Sequence, residues 1–379
     1  MINQIDQTLY RLSNLDSLQQ KLSYQASTGK KIEKGSDDSI LYSRIISLDD
    51  KISTYEGLKT QIGKTTSQNN TSDSSLSETK NILEKMKAEL IKANTGSTND
   101  NGLSAIASNI AGMKENLFDL SNTQTEGEYV FSGSDTSVKP FEKNADGSIS
   151  YVGNNVLRKI AVEEGSYRER GVTGFDAMMY PSSTAYKGET LTFQARDRII
   201  DQNGNEWKLN SPSNNTLTKH DLDGNPTSET LSVTSNGATP PTFSAVTSNS
   251  DGVKMEARTS VFDIVSDVIN ALKKVDNNGN KISDTESKAL VSKGLEKVSA
   301  AFDSINITHA ELGGRNKVFE DSLERVNSKL TQYNILSQEI GAANLTEVAV
   351  KAKALELTYT ALYSTINKTN QLSLVNFIN

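Results

Sequence analysis

Two ladders of apolar residues step through this sequence by seven, one near each end, and every proline lies between them. The first is Leu41, Leu48, Tyr55, Ile62, Asn69, Leu76, Leu83 and Leu90. The second is Val291, Val298, Ile305, Leu312, Phe319, Val326, Tyr333 and Ile340. Asn69 is the single polar rung. A sustained step of seven with further apolar positions between, such as Ile45 and Ile52 or Leu295, Phe302, Leu323 and Leu330, marks long helices packed along a narrow seam. Each ladder spans 50 residues, a helix roughly 75 Å long at about 1.5 Å per residue. Pro140, Pro181, Pro212, Pro226, Pro240 and Pro241 all fall in the middle, so helix breakers are confined to an inserted, non-helical module.

The expected fold is therefore α+β: a long antiparallel, coiled-coil-like helical bundle formed by N- and C-terminal arms, with an inserted β-rich outer domain. Three discontinuous parts are expected: terminal helices at 1–36 with 345–379, a long-helix bundle at 37–137 with 256–344, and a β-rich domain at 138–255. Of the 379 residues, 35% are hydrophobic and 6% aromatic, which suits slender bundles and a small sheet better than one large core. Net charge is −7 and no helix face gathers Lys and Arg, which argues against nucleic acid as a partner. No run reaches the 18 or so apolar residues of a membrane span. Residues 1–22 carry Asp6 and Asp16 and lack an apolar h-region, so a cleaved signal peptide is not expected. The absence of cysteine excludes disulfides, thiolate metal sites and a Cys nucleophile.

Residues 1–26 place Ile2, Ile5, Leu9, Leu12, Leu15, Leu18 and Leu22 on one stripe of a helix. Gly29 suits its left-handed C-cap, and Ser36 is the expected cap of the next helix, with Asp37 and Asp38 on the positive end of its dipole. From Gly63 to Ser77 the composition of Ser, Thr and Asn reads as a linker. The seven-residue register nevertheless runs through it unbroken, so one continuous helix is expected, with Asn69 as a register-setting polar residue in the seam. A third helix carries Leu103, Ile106, Ile110, Met113, Leu117 and Leu120. Strands are expected at 128–133, 148–152 and 191–193, and Asn203-Gly204 reads as a two-residue hairpin turn. A final amphipathic helix carries Leu355, Tyr359, Leu362 and Ile366 and ends in an apolar tail that includes Leu372, Leu374, Val375, Phe377 and Ile378.

Catalytic chemistry has little to work with here. His309 sits at a secondary seam position and His220 in a loop; packing and a solvated turn are the readings favoured. Asp201–Asn205, Asp221–Asn225 and Asp276–Asn280 imitate calcium loops. Counting from Asp276, however, Lys281 and Ser287 stand where glycine and a bidentate Glu are required, so all three read as turns. Gly29-Lys30-Lys31 lacks the rest of a phosphate loop. Exposed arginines around Trp207 (Arg168, Arg170, Arg196, Arg198) could bind a glycan, but a tryptophan packed in its own hairpin is the favoured reading. No catalytic, cofactor or metal residue is expected.

Ser27-Thr28-Gly29-Lys30-Lys31-Ile32 followed by Ser36-Asp37-Asp38 resembles the N-terminal signature of the flagellin-like family, usually Ser-Thr-Gly-Lys-Arg-Ile and then Ser-Asp-Asp-Pro; here Lys31 replaces the arginine and Ser39 the proline. The ending Asn370-Gln371-Leu372-Ser373-Leu374-Val375-Asn376-Phe377-Ile378 is similar to that of the family's hook–filament junction members more than to that of filament flagellin. Glu128–Ser134 followed by Lys139-Pro140-Phe141 looks like the junction members' entry into their outer domain. The resemblance covers roughly 1–142 and 258–379. It implies an extracellular structural protein, not an enzyme, exported by the flagellar type III apparatus without a cleaved signal and assembled as a ring between hook and filament. The terminal helices would form an inner tube through Ile2, Ile5, Leu9, Leu12, Leu22, Leu355, Tyr359, Leu362, Ile366, Leu372, Leu374 and Phe377. Its implied partners are copies of itself, a hook-associated protein on the hook side, flagellin on the filament side, and an export chaperone. Filament flagellin is the alternative within the family.

Overall fold

The computed structural model describes residues 2–95, 98–211, 213–222, 224–237, 241–247 and 254–378, with the side chains of 2–6, 8 and 369–378 outside the description. Three helices come first: α1 (Ile2–Thr28), α2 (Ser39–Asn94) and α3 (Asp100–Ser121). Four short strands form two hairpins, β1 (Gln124–Thr125) with β2 (Glu128–Tyr129) and β3 (Phe141–Lys143) with β4 (Ile149–Tyr151). A third hairpin, β5 (Lys159–Glu163) with β6 (Ser166–Glu169), and the one-turn helix α4 (Gly174–Met178) follow. The strands β7 (Met179–Tyr186), β8 (Thr190–Gln194), β9 (Arg198–Asp201), β10 (Glu206–Leu209), β11 (Thr216–His220), β12 (Pro226–Ser235), β13 (Thr242–Val246) and β14 (Lys254–Ser260) come next. The chain ends on α5 (Val261–Leu272), α6 (Asp284–Gly341) and α7 (Leu345–Ile378).

By internal contacts the chain divides into two units, Met1–Thr60 with Glu324–Asn379, and Gln61–Leu323. In the second unit, α2 contributes Leu76, Leu83, Met86 and Leu90 to a core shared with Ile106, Ile110 and Leu117 of α3, Phe262, Val265 and Val268 of α5, and Val291, Val298, Ile305 and Leu312 of α6. The ladder residues from Tyr55 to Leu90 and from Val291 to Val326 are buried; Leu41, Leu48, Tyr333 and Ile340 are half-buried. In the first unit the Tyr55 and Tyr333 rings lie 5.5 Å apart, and Lys329 Nζ donates to the Tyr55 hydroxyl at 3.1 Å. In the second, His309 Nε2 meets Asp73 Oδ1 at 2.8 Å. With Ile45 beside Gly341 in the first unit and Lys87 Nζ 4.9 Å from the Phe302 ring centroid in the second, α2 and α6 run antiparallel within each unit.

The stretch from Gly63 to Ser77 is helical, as the register requires, and the structure gives the reason. The hydroxyls of Thr65, Thr66, Thr71, Ser72, Ser74 and Thr79 each donate to the carbonyl four residues back. Gln68 Nε2 donates to Glu128 Oε2 on β2 at 2.7 Å and Ser75 Oγ to Thr123 Oγ1, just after α3, at 3.2 Å, so these polar side chains are satisfied while α2 stays helical. Asn69 is buried with no protein partner for either amide atom.

The eight strands β7 to β14 form one antiparallel sheet in the order β7-β14-β9-β10-β11-β12-β13-β8. Thr192 N on β8 donates to Ser183 Oγ on β7 at 3.3 Å, so the sheet curls until its end strands meet. Leu191, Phe193, Ile199, Trp207, Leu217, Phe243 and Met255 fill the interior.

Three local expectations are corrected. Asp38, not Ser36, caps α2: its Oδ1 accepts from Leu41 N at 2.9 Å, while Asp37 Oδ2 accepts from Glu33 N and Lys34 N and braces the preceding loop instead. The strand at 128–133 stops at Tyr129, since Phe131 turns into the core and Gly133 takes φ +85°. The Asn203-Gly204 connection is a three-residue loop: Asp201 N bonds Asn205 O at 3.0 Å and Gly204, at φ +84°, bonds Asp201 O at 3.1 Å. That is a type I turn closed by a left-handed glycine. Two-residue connections lie elsewhere, at Glu126-Gly127 between β1 and β2, with both φ positive (53° and 81°), and at Glu164-Gly165 between β5 and β6.

Candidate assembly surfaces

The family motif occupies the elbow between α1 and α2. Gly29 ends α1 at φ +68° with its N–H on Gln25 O at 3.0 Å. Thr28 Oγ1 donates to Tyr24 O at 2.8 Å and accepts from Lys30 N at 3.2 Å. The motif backbone then pairs with the elbow between α6 and α7: Lys31 N donates to Gly341 O and Ala343 N to Gly29 O, both at 2.8 Å, bridging Lys30 to Ala342. Gln25 Nε2 closes the turn on Lys31 O at 2.6 Å. The Asp37 carboxyl is held below the ordinary range by the Glu33 and Lys34 amides. Glycine and small residues at both elbows let the two backbones approach, which is the physical work of the motif.

The pinned elbows align α1 and α7. Leu22, Val348 and Leu355 are buried between them with Leu15, Ala343 and Tyr359 packed alongside, and Tyr359 donates to Asp16 Oδ1 at 2.5 Å. That hydrogen bond pushes the Tyr359 hydroxyl up to about 12. The expected interface residues thus divide. Leu22 and Leu355 are covered within the chain, Leu12, Tyr359, Leu362 and Ile366 are half-covered, and Leu9 is 59% exposed. Ile2, Ile5, Leu372, Leu374 and Phe377 lie outside the described side chains. Other apolar residues that the stripe analysis passed over are open: Tyr10 (71%), Val350 (66%) and Leu357 (62%). A signal for the last two was present. Val350, Ala354, Leu357 and Ala361 are spaced by four, three and four, a second seam on the face of α7 opposite Leu355 and Tyr359.

The remaining candidates take structural roles. His309 joins Asp73 on α2, and His220 Nδ1 meets Gly224 O at 2.9 Å within its own turn. Asp201, Asp221 and Asp276 each turn Oδ1 onto the amide four residues on (3.0, 2.8 and 2.7 Å), so these carboxylates close turns. Asn144–Ser148 has the same backbone pattern, a fourth copy that its composition concealed. Trp207 is buried with Nε1 3.3 Å from Asp201 Oδ2. Arg196 forks onto Asp267, Arg198 onto Glu206, and Arg170 reaches Glu128; Arg168 stays exposed. Among the described residues no group of three or more His, Cys, Asp or Glu could hold a metal ion, and no helix is long and apolar enough to cross a membrane.

Residues 3–136, which contain the motif elbow, α2 and α3, match the bacterial flagellin N-terminal helical region. Flagellar hook-associated protein 3 of Salmonella typhimurium is 25% identical over 143 residues, 38% of this chain and 45% of that one. Its Escherichia coli counterpart is 26% identical over 203 residues, 51% of this chain and 62% of that one. The chain is similar to the flagellin N-terminal helical region over residues 3–136 and, over part of its length, to flagellar hook-associated protein 3. Its matches span less than two thirds of either hook-associated protein 3 relative. The crystal structure of flagellar hook-associated protein-3 from Legionella pneumophila shares the fold, with a TM-score of 0.53 at 19% identity over 78% of this chain and 98% of that one.

Proposed function

We propose that this protein is a structural component of the bacterial flagellum, a junction ring that joins hook to filament, and that it is not an enzyme. The observation that carries the reading is the pair of elbows. The family motif at 27–31 is hydrogen-bonded to 341–343, which holds α1 against α7 and leaves Leu9, Tyr10, Val350 and Leu357 open. Such a surface on terminal helices is costly in water, at roughly 1.5–3 kcal/mol per side chain left uncovered, and association would remove the cost.

In this reading 1–36 with 345–379 form the assembly-dependent inner tube, 37–137 with 256–344 the bundle wall, and 138–255 the outer domain. Neighbours are copies of the chain, a hook-associated protein on the hook side and flagellin on the filament side. The protein lies outside the cell, reaches its place without a cleaved signal peptide, and is accompanied by an export chaperone before assembly. Similarity to flagellar hook-associated protein 3 supports the placement. Immunogold electron microscopy on intact cells tests it: one band at the hook–filament boundary is expected. Label along the whole filament would make the protein a filament flagellin, and no flagellar label would end the reading.

A further inference from the structure

Seven arginines lie from Arg158 to Arg315, and five of them are ion-paired: Arg158 and Arg170 with Glu128, Arg196 with Asp267, Arg198 with Glu206, and Arg258 with Glu256 and Asp176. The other two face neutral groups. Arg168 Nη1 donates to Tyr167 O at 2.8 Å and Ser166 Oγ at 3.3 Å, and Arg315 Nη1 donates to Gly171 O at 2.8 Å. Both line the same open groove of about 900 Å³ between the β5–β6 hairpin and α6, together with Lys159, Tyr167, Glu169 and Val318. Lys159 has no ion pair among the described residues. Three cations therefore surround the groove against one carboxylate. Tyr167, 58% exposed, and Val318, 39% exposed, give it an apolar lining.

Each guanidinium carries five donors and spends few of them here, so a guest bearing carboxylates gains charge-assisted hydrogen bonds at little desolvation cost. A groove this wide and open suits a peptide segment with apolar as well as acidic side chains. The chain itself has the complementary charge, with 47 Asp and Glu against 40 Lys and Arg. We propose that the groove receives a carboxylate-bearing segment of a second copy of this chain. Groove and guest are different patches, so the contact is heterologous, the kind that closes rings. The proposal rests on the junction-ring reading.

The test places a photoreactive benzophenone amino acid at Tyr167 in the full chain on intact flagella. Irradiation is expected to give an adduct at twice the chain mass, mapped to an Asp- or Glu-bearing peptide of the same protein. Lys159→Glu with Arg168→Glu, both at exposed positions, should reduce its yield about tenfold or more through loss of charge pairing, at an unchanged melting temperature. Arg315 is left in place because it holds the Gly171 carbonyl. Adducts only to another protein or to a glycan, or a yield indifferent to charge reversal, would overturn the proposal. Immunogold label at the boundary with no adduct refutes the groove assignment alone; no label there refutes the ring reading and the groove with it.

Discussion

Asn69→Leu should stabilise the protein. The side chain is 1% exposed, and neither Nδ2 nor Oδ1 has a protein hydrogen-bond partner. A buried polar group without a partner costs about 1–3 kcal/mol. Leucine has the same branching and heavy-atom count and removes that cost while adding apolar burial. Against this stands overpacking: the side chain is fully enclosed, with Oδ1 3.7 Å from where a Cβ on Gly171 would stand, and an ill-fitting core side chain costs about 1–3 kcal/mol. Because the two methyl groups replace two atoms of similar reach, the polar term wins, and a net gain of about 1–2 kcal/mol is expected. With an unfolding entropy of about 2.1 cal/mol/K per residue over 379 residues, that is a rise of roughly 1–3 °C, more if the unit from Gln61 to Leu323 melts alone. Urea unfolding followed by circular dichroism is the sharper assay, since a higher midpoint at unchanged slope isolates stability. Specificity should fall as stability rises. In the otherwise cysteine-free chain, a Tyr55→Cys, Tyr333→Cys pair should oxidise more slowly and less uniformly when Asn69→Leu is present, because the polar register mark is gone. A urea midpoint lowered by the equivalent of 1 kcal/mol or more would refute the reasoning.

Thr66→Pro removes an amide in the helical middle of α2 and should cost about 3 kcal/mol or more in a thermal melt; a wild-type melting curve would show the stretch to be non-helical. Gly174→Ala would place a Cβ 2.7 Å from both Phe141 Cε2 and Tyr151 Cε2 and 2.9 Å from Phe131 O, so a loss of about 1–3 kcal/mol is expected by the same measurement. Burial, helped by Asp267 and Asp197, pushes the Asp263 carboxyl up to about 6, so the folded state binds an extra proton between roughly pH 4 and 6 and stability from this group rises as pH falls through that window. Asp263→Asn should therefore gain about 2 kcal/mol over wild type at pH 7.5 and nothing at pH 4, read as the difference between two urea titrations.

The long elements were legible because a step of seven is enforced by burial at every turn. The ladder outweighed composition at Gly63–Ser77 because a register cannot survive a disordered break. What stayed hidden was decided by partners far along the chain. Gln68 finds Glu128, the forks of Arg196 and Arg198 find Asp267 and Glu206, and the motif elbow pairs with 341–343. Capping failed for a local reason: Asp37 and Asp38 offer the same carboxylate, and the bend of the loop decides which one reaches the helix. Of the expected interface residues, Leu22, Leu355 and Tyr359, which pack between α1 and α7, were readable from their period. That part of the stripe would be spent inside the chain was not, since periodicity shows that a face is covered without saying by whom.

Between Ile62 and Leu76, α2 carries no apolar side chain at all. Detached from its partners this stretch has nothing with which to clump, and the hydroxyls that cap its carbonyls in the helix are equally content with water. Heated or pulled, the helix should open here first and close again without misjoining, because the flanking leucines restore the alignment and the polar centre adds no competing one. Near its middle α2 would thus hold a segment that can be drawn out as a soluble thread and wound back.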